Sequence, residues 1–529
     1  MSLDIVLLTP RRRFIANQFG LGYQIPLGLV FLGGPLVDAG HRVRLIDNDV
    51  LGWNDQRLAR ELSSAPPDCI LIGHTGSTAA HPVAMETARV LREHLPSTKI
   101  IYGGVYPSYA SCSVLRANPA IDVIVRGEGE ATMVELAQVL SKSQKHPFGR
   151  LRAHPERSAA PFDFGFASAQ DARRAVEGGD LQTVKGITWR DGATIRVNPA
   201  RAPIADLDQF RPGWELVDWE GYSLFGFGRA AGMQFSRGCP LTCTYCGQWN
   251  FWKRWRHRSP ENFARELEVL AKRYGVRIVW LADENFAADR EAAREALEKI
   301  CERDLGLSLN LNMTAADVVR DADLLPLYKR AGVDNIIMGI ESLDDATVAR
   351  VRKNNPLEVS REAVSLLRQQ GIASLVNVIY GLETENTATV ARTFRGVFDL
   401  DPDILNAVYI TPHFWTPAGR QVRPDQIIQP NQTLWTYRNQ IVHTPHLSPW
   451  RLFLTVKLTE ALFHLRPRAL LRMLLGHDPR FRRILRAYLT VGFRVVLAEM
   501  WEFIFHSRFV LPGSLSALPG AEELKELTR

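Results

Sequence analysis

The loop Cys239-Pro-Leu-Thr-Cys243-Thr-Tyr-Cys246 decides how this chain is interpreted, and it follows the apolar run Met233–Ser236 and the pair Arg237-Gly238. Thiolates three and four positions apart on one loop can converge on one metal centre. Three of them leave one iron of a four-iron cube without a protein ligand, and that open iron is available for chemistry. A zinc site is the alternative, because His257 follows closely enough to be a fourth ligand.

The composition places this loop in a globular, intracellular protein. The chain has 529 residues, of which 46% are hydrophobic, so it is long enough for several domains. The six cysteines are not spread as in a secreted disulfide framework, and we expect Cys69, Cys112 and Cys301 to be core residues. Neither an export signal nor an uninterrupted apolar run of about 18 residues is apparent. These features favour the cytoplasm.

Strand-like and helix-like segments alternate around the cysteine loop, over residues 226–422. The first helix is marked by Ser259 as N-cap and Pro260 at the first helical position. Six such units predict a partial (β/α)6 barrel with its chemistry at the carboxyl ends of the strands. The predicted strands are Met233–Ser236, Arg277–Ala282, Ser308–Met313, Asn335–Ile340, Ser374–Tyr380 and Leu405–Ile410.

An α/β domain with the same alternation is predicted over residues 1–145. Short apolar runs separated by helix-length segments indicate a parallel, doubly wound (Rossmann-like) sheet. Its ligand site is expected at the carboxyl ends of the strands, where glycines allow a bulky flat ligand to approach the backbone. The predicted strands are Ile5–Leu8, Val43–Ile46, Cys69–Ile72, Lys99–Tyr102 and Ile121–Val125.

The remaining two regions have a different character. Residues 146–225 are irregular and are predicted to be a linker with a hairpin at Asp191-Gly192. Residues 423–529 are predicted to be helical and basic, with ten Lys or Arg against two acids between Arg451 and Arg494. Such helices can pack on the barrel with their arginine stems over apolar surface. The alternatives are contact with a membrane surface or with an acidic or large aromatic substrate.

The C-x3-C-x2-C spacing at the end of a first barrel strand resembles the radical S-adenosylmethionine (SAM) superfamily. The resemblance implies a [4Fe-4S] cluster on the three cysteines, whose open iron binds the amino and carboxylate groups of SAM, and one-electron cleavage to a 5′-deoxyadenosyl radical. The second strand ends in the carboxylates Asp283 and Glu284, which could receive the ammonium group of SAM, although they depart from the Gly-Gly-Glu element usual in the superfamily. By the same resemblance Glu341 binds the ribose and Tyr245 lies against the adenine.

The N-terminal region resembles the cobalamin-binding domain of B12-dependent radical enzymes. Glycine pairs follow its fourth and fifth strands, and the resemblance implies cobalamin contacts there and in the loop after the third strand. The Asp-x-His-x-x-Gly element that supplies a cobalt ligand in many B12 proteins is missing after the first strand. A degenerate Rossmann-like domain without a ligand is the alternative. The residues implied are Thr75, Ser77, Gly103, Gly104, Gly127 and Glu128.

A longer likeness extends from Phe235 through Gln248-Trp-Asn-Phe-Trp252 to the basic tail. It is similar to the family of anaerobic magnesium-protoporphyrin IX monomethyl ester oxidative cyclases, although residues 11–24 and 146–185 depart from that pattern. The family closes the isocyclic ring of (bacterio)chlorophyll precursors without oxygen, taking the keto oxygen from water. Near the loop, side chains that could stack on the macrocycle or pair with its carboxylate are Trp249, Phe251, Trp252, Trp255, Lys253, Arg254 and Arg256, with Met313, His413 and Trp415 at strand ends.

The expected partners follow from this resemblance. They are a tetrapyrrole or other hydrophobic small molecule and a low-potential donor such as flavodoxin or ferredoxin, with membrane contact left open. The net charge of +7 is too evenly spread to suggest nucleic acid. The rival functions are a cobalamin-dependent radical SAM methyltransferase acting on a tetrapyrrole, hopanoid or other lipid, and a non-catalytic tetrapyrrole or cobalamin carrier with a structural metal.

Overall fold

The N-terminal domain is built on a seven-stranded sheet, seen in a computed structural model that describes residues 2–11, 23–73, 78–143, 181–224, 228–353, 355–382, 385–476 and 478–515. Its first five strands are parallel, in the order β2-β1-β3-β4-β5. This confirms the doubly wound prediction. The elements are β1 (Asp4–Thr9), α1 (Leu27–Asp38), β2 (Arg42–Asp47), α2 (Asn48–Leu51), α3 (Asp55–Ser63), β3 (Cys69–Ile72), α4 (Ala80–His94), β4 (Lys99–Gly103), α5 (Val105–Tyr109), α6 (Ser111–Ala117), β5 (Val123–Val125) and α7 (Glu130–Ser143).

The predicted hairpin extends this sheet. Strands β6 (Ile187–Asp191) and β7 (Thr194–Val197) are antiparallel, and β6 pairs with β5. Gly192 in the turn has a φ of 58°, a conformation that glycine adopts without strain. Within the stretch predicted as a linker, residues 187–197 are therefore part of the first sheet.

The second sheet has six parallel strands in the order β15-β14-β13-β12-β11-β8 and forms the partial barrel. Ser259 caps the first long helix through its hydroxyl, as predicted. The elements are β8 (Ala230–Met233), β9 (Ser236–Arg237), α8 (Gln248–Trp252), β10 (Arg256–His257), α9 (Pro260–Lys272), β11 (Ile278–Leu281), α10 (Arg290–Arg303), β12 (Ser308–Asn312), α11 (Ala315–Arg320), α12 (Leu325–Arg330), β13 (Val333–Glu341), α13 (Asp345–Arg350), α14 (Leu357–Gln369), β14 (Ala373–Tyr380), α15 (Thr387–Leu400) and β15 (Ile404–Tyr409).

The first barrel strand ends earlier than predicted. Strand β8 stops at Met233, and Ser236 and Arg237 leave the barrel to pair with β10 as a separate two-stranded ribbon. Phe235, between the two strands, is fully buried among aromatic residues of the main core. The predicted strand Met233–Ser236 was therefore misplaced, because a buried residue at a strand break is as apolar as a residue in a strand.

The C-terminal region adds helices to the barrel. After the last barrel strand comes the short helix α16 (Pro417–Gln421), and the C-terminal region contains α17 (Pro449–His464), α18 (Pro467–Leu475) and α19 (Pro479–Phe505). Between Val422 and Ser448 the chain forms short turns and isolated bridges, so the long helices begin later than predicted. No helix among the described residues is long and apolar enough to cross a bilayer.

Helices α18 and α19 cover the inner face of the barrel sheet. Ile484 and Leu485 of α19 pack in one cluster with Ile337, Leu375 and Ile404 of three neighbouring strands. The alternate residues of these strands, such as Ile336 and Val376, face the outer helices in the main core. The C-terminal helices thus close the open side of the partial barrel.

Candidate functional site

The cysteine loop begins where β9 ends. Gly238, its first residue, has a φ of 96°, and a Cβ there would overlap the carbonyl of Arg254. The three thiols are free, with Cys243 buried and the other two half-buried. Burial raises the pKa of all three, that of Cys246 to about 11. Partially buried thiols on one loop need a cation to be held as thiolates, and an iron–sulfur cluster supplies it.

The chemistry of the donor set fits a four-iron cube, because three thiolates bind three of its irons and leave the fourth open. Among the described residues, no three His, Cys, Asp or Glu side chains lie close enough to hold one metal ion. A cube places each thiolate on a different iron, so its ligands stand farther apart than those of zinc. His257, the candidate fourth zinc ligand, is exposed on β10 with its Nδ1 2.8 Å from the carbonyl of Arg258.

Residues 351–353 lie over the cysteine loop. The Thr244 amide donates to the Val351 carbonyl at 3.0 Å, and the Cys243 thiol contacts the carbonyl of Arg352 at 3.7 Å. Arg352 has a φ of 57°, and the side chain of Lys353, which follows, is 12% exposed. This segment brings a lysine to the thiols, which sequence reasoning missed because the loop has no recognisable motif.

Glu341 is aimed at this lysine by an irregularity in β13. The register of β13 against β14 shifts between Gly339 and Glu341, and Glu341 has a φ of 67°. Its Oε1 lies 3.2 Å from Lys353 Nζ and accepts a hydrogen bond from Tyr245 OH at 2.8 Å. A Cβ at Gly339 would overlap both the Glu341 carboxylate and the lysine. Burial of Lys353 opposes the charge of its ammonium group, but the Glu341 carboxylate raises the pKa of the lysine above its ordinary value.

Asp283 has a structural set of partners. Its two oxygens accept from the amide of Phe235 at 3.1 Å and from the amide and hydroxyl of Ser236 at 2.5 Å each. Burial raises the pKa of Asp283 to about 6. The carboxylate therefore fixes the strand break that precedes the cysteine loop, which leaves Glu284 as the acid with the more suitable position.

Glu284 touches the cysteine loop itself. Its carboxylate accepts from the amide of Gly238 at 3.1 Å and from the indole of Trp252 at 2.8 Å. Burial and then the neighbouring Asp283 raise the pKa of Glu284 to about 7. Of the two acids predicted for the ammonium group of SAM, this one lies at the loop that carries the thiols.

A buried cluster of charges joins the two domains beside the loop. Arg237, two residues before the first cysteine, is 3.0 Å from Glu128 and 2.5 Å from Glu130, and Arg256 is 3.0 Å from Glu128. The side chains of Arg237, Glu128 and Glu130 are 6–7% exposed. Glu128 was predicted to contact cobalamin. Its protein partners are these two arginines and the amide of Ile204.

The glycines predicted for cobalamin lie at the carboxyl ends of β4 and β5. Gly104 has a φ of 127° and Gly127 a φ of 73°. The hydroxyl of Ser108 connects them, since it donates to the Gly104 carbonyl at 2.6 Å and accepts from the Gly127 amide at 2.9 Å. Gly103 ends β4, where an added Cβ would make only ordinary contacts. Thr75 and Ser77 lie outside the described residues.

Aromatic side chains form a second contact between the domains. The ring of Tyr106 stacks on that of His81, with 3.9 Å between the ring centroids, and meets the ring of Trp415 edge-on, with 5.8 Å between centroids. Trp415 in turn stacks on His413, with 4.6 Å between their centroids. A Cβ at Gly247, next to the last cysteine, would overlap the Trp415 indole. The cobalamin-type domain is thereby packed directly against the cysteine loop.

The remaining predicted substrate residues divide into two groups. The indoles of Trp249, Trp252 and Trp255 each donate a hydrogen bond near the loop, to Cys243, Glu284 and Asn285. The ring of Phe251 is tilted against that of Tyr109 with their centroids 6.5 Å apart, and Lys253 and Arg254 are exposed. Arg256 and Met313 do not fit the prediction. Arg256 is buried and forms an ion pair with Glu128, and Met313 is buried in the main core.

Two family profiles match the two halves of this arrangement. The radical SAM superfamily profile covers residues 233–396, and the B12-binding domain profile covers residues 20–137. With the geometry above, they define a cobalamin-dependent radical SAM enzyme whose cofactors are a [4Fe-4S] cluster, SAM and cobalamin.

Curated relatives identify the family within that class. The chain is 38% identical over 97% of its length, and 95% of the relative's, to the anaerobic magnesium-protoporphyrin IX monomethyl ester cyclase of Synechocystis sp. (strain ATCC 27184 / PCC 6803 / Kazusa). It is 31% identical over 73% of its length, and 64% of the relative's, to the cyclase of the same name from Rubrivivax gelatinosus. The chain belongs to this family of anaerobic cyclases.

A solved structure supports the fold. The radical SAM methyltransferase TsrM from Kitasatospora setae, with cobalamin and a [4Fe-4S] cluster bound, superposes with a TM-score of 0.66 at 15% identity. The likeness covers 93% of this chain and 99% of TsrM. At that identity it shows the order of the domains and their architecture.

Proposed function

We propose that this chain closes the isocyclic ring of (bacterio)chlorophyll precursors by oxygen-independent oxidative cyclisation of magnesium-protoporphyrin IX monomethyl ester. The observation that carries the proposal is the identity to the Synechocystis cyclase along almost the whole chain, including both cofactor domains. The chemistry needs a group that can attack an unactivated C–H bond, and a radical SAM cluster supplies that group when bound.

The three cysteines are proposed to hold the cluster, with polar groups on two sides of it. Glu284, on the Gly238 amide, lies where it can bind the ammonium of SAM. On the other side Tyr245, Glu341 and Lys353 form one hydrogen-bonded group. We assign this group to the adenosine end of SAM, because a carboxylate accepts from ribose hydroxyls and an aromatic ring can stack on adenine.

Substrate contacts are proposed for helix α8 and the turn after it. Phe251 lies toward Tyr109 of the cobalamin-type domain, so a flat macrocycle between the domains would meet aromatic side chains. The exposed cations Lys253 and Arg254 can pair with its free carboxylate. A low-potential donor such as flavodoxin or ferredoxin would supply the electron, and a membrane surface would supply the poorly soluble macrocycle.

The proposal is tested by anaerobic incubation of the reconstituted enzyme with SAM, a reductant and magnesium-protoporphyrin IX monomethyl ester in ¹⁸O-labelled water. We expect a ring-closed product carrying ¹⁸O in its keto group and release of 5′-deoxyadenosine. A methylated porphyrin with S-adenosylhomocysteine would instead make the chain a methyltransferase. Binding of the porphyrin without any SAM cleavage would make it a carrier.

A charge-reversal variant tests the substrate contacts separately from the cofactor assignment. Lys253→Glu with Arg254→Glu changes only exposed side chains, so cluster content and basal SAM cleavage should be unchanged. We expect the KM for the porphyrin ester to rise severalfold, because two attractive charges become repulsive. An unchanged KM would remove these two residues from the substrate site without affecting the cofactor assignment.

A further inference from the structure

Large apolar side chains are exposed on the three C-terminal helices. Of the 16 large hydrophobic residues that are exposed among the described residues, 13 lie between Trp450 and Leu511. Soluble proteins rarely expose so many together, and such surfaces mark contacts with other molecules or with membranes. The 13 residues are Trp450, Leu458, Leu462, Leu465, Leu471, Leu474, Leu475, Phe493, Leu497, Trp501, Ile504, Phe505 and Leu511.

The exposed residues follow helical spacing. On α17 Leu458 and Leu462 are four positions apart, and Leu465 follows three positions later as the C-cap of the helix. On α19 a single stripe begins at Arg486 and continues at the same spacing through Thr490, Phe493, Arg494, Leu497, Trp501, Ile504 and Phe505. The opposite face of α19 is already occupied, since Ile484 and Leu485 pack on the barrel strands. The stripe is therefore an outward face that no other described part of the chain covers.

The charge of this region is strongly positive. Residues 451–508 contain eleven Lys or Arg and four Asp or Glu, an excess of seven that equals the +7 of the whole chain. Some of these charges are neutralised internally, as in the buried pairs of Lys457 with Glu460 and Glu499. Arg486 and Arg494 are exposed on the apolar stripe itself.

We propose that the outward faces of α17, α18 and α19, named here the lipid-binding face, lie on an anionic bilayer surface. Arginine beside Trp, Phe and Leu on one face is the pattern of helices that lie in the membrane interface. A second copy of the chain is a poorer occupant, because two such faces would bring arginines against arginines, whereas anionic headgroups complement them. No helix of the described residues could span a bilayer, so the contact is peripheral. Vesicle binding needs no porphyrin, so the proposed reaction and this contact can fail separately.

Flotation with vesicles tests the lipid-binding face. The anaerobically reconstituted full chain is mixed with vesicles of equal parts phosphatidylglycerol and phosphatidylcholine, or of phosphatidylcholine alone. We expect flotation with the anionic vesicles, which weakens as salt is added. Leu497→Ser with Trp501→Ser should abolish it, whereas Leu51→Ser, which changes an exposed leucine of α2, should leave it intact. Reductive cleavage of SAM by each variant confirms that it is folded.

Further variants test separately the role of the two arginines and the depth to which Trp501 enters the bilayer. Arg486→Gln with Arg494→Gln should lower the affinity for anionic vesicles about tenfold or more, because each cation near the surface contributes about 1 kcal/mol. The control is Arg89→Gln, an exposed arginine of α4. Brominated acyl chains should quench part of the tryptophan fluorescence of the wild-type protein, and Trp501→Phe should lose that part while still binding.

Two results would overturn the inference. One is equal binding to anionic vesicles by the Leu497 and Trp501 double variant. The other is self-association in sedimentation velocity that these substitutions abolish, in a protein that does not float with either kind of vesicle. In that case the face would be an interface between copies of the chain.

Discussion

Tyr245 OH lies 2.8 Å from Glu341 Oε1 and joins the cysteine loop to the end of the fourth barrel strand in sequence, β13. The same carboxylate oxygen is 3.2 Å from Lys353 Nζ. One acid thereby connects an aromatic residue between two cluster ligands with a cation from a separate loop. These contacts hold the three side chains of the proposed adenosine site together.

Glu341→Gln is expected to weaken SAM binding without loss of iron. A hydrogen bond to a charged group contributes about 1.5–3 kcal/mol, so the affinity of the reconstituted protein for SAM should fall about tenfold or more. Equilibrium dialysis with labelled SAM measures the effect, alongside iron and sulfide analysis. Glu298→Gln, on the outer surface of α10, is the control. Wild-type affinity in Glu341→Gln would exclude the carboxylate from the site.

Gly339→Ala should disturb the same group sterically. The added methyl would overlap the Glu341 carboxylate and Lys353 Nζ, and overpacking of this kind costs about 1–3 kcal/mol. We expect a lower melting temperature and a loss of SAM affinity at least as large as that in Glu341→Gln. Gly28→Ala is the matched control, because nothing lies within 4 Å of its added Cβ. Equal behaviour of the two variants would contradict the geometry described here.

The interdomain ion cluster should contribute far more to stability than surface pairs do. Arg256→Met leaves Glu128 with one of its two arginines, and breaking a buried pair costs about 3–5 kcal/mol. Arg89→Met, which removes exposed pairs with Glu86 and Glu93, should cost no more than about 1 kcal/mol. Urea unfolding followed by tryptophan fluorescence compares them. A small effect of Arg256→Met would show that the docking of the domains does not depend on this cluster.

Stability should fall as the pH drops from 7 toward 5. Burial lowers the pKa of His81 to about 3, so the folded protein keeps the imidazole neutral while the unfolded chain takes up a proton near pH 6.5. The stabilisation is therefore complete above about pH 6.5 and is lost progressively below it. His413, with its pKa lowered by burial to about 4, acts in the same direction.

His81→Gln is the test of that assignment. The variant is expected to be less stable than the wild type at pH 7, because it loses the stacking on Tyr106. Its melting temperature should nevertheless depend less on pH between 7 and 5. A slope equal to that of the wild type would mean that other groups control the acid sensitivity of the interface.

Features that depend on neighbouring residues in sequence were predictable. The cysteine loop, the Ser259 cap and the hairpin turn at Gly192 each contain their own signal, and the parallel strands are continuous apolar runs. The break between Met233 and Ser236 was not predictable, since periodicity does not separate a strand residue from the buried Phe235 that follows one.

Features that depend on the packing of segments distant in sequence were not predictable. Lys353 reaches the thiols only because the segment after α13 folds over the cysteine loop. The ion pairs of Glu128 with Arg237 and Arg256 form only because the two domains pack together, so the sequence near Glu128 does not predict them. The position of Asp283 likewise depends on the strand break, because its carboxylate accepts hydrogen bonds from the amides of Phe235 and Ser236 there.

The most direct test of the central claim is cofactor analysis of the anaerobically reconstituted protein and of its Cys243→Ala variant, with Cys301→Ala as the matched control. We expect about four irons and four sulfides per wild-type chain, with reductive cleavage of SAM to 5′-deoxyadenosine. Both should be lost in Cys243→Ala and kept in Cys301→Ala. A wild-type protein that holds one zinc ion or no metal, or a Cys243→Ala variant that still cleaves SAM, would contradict the assignment.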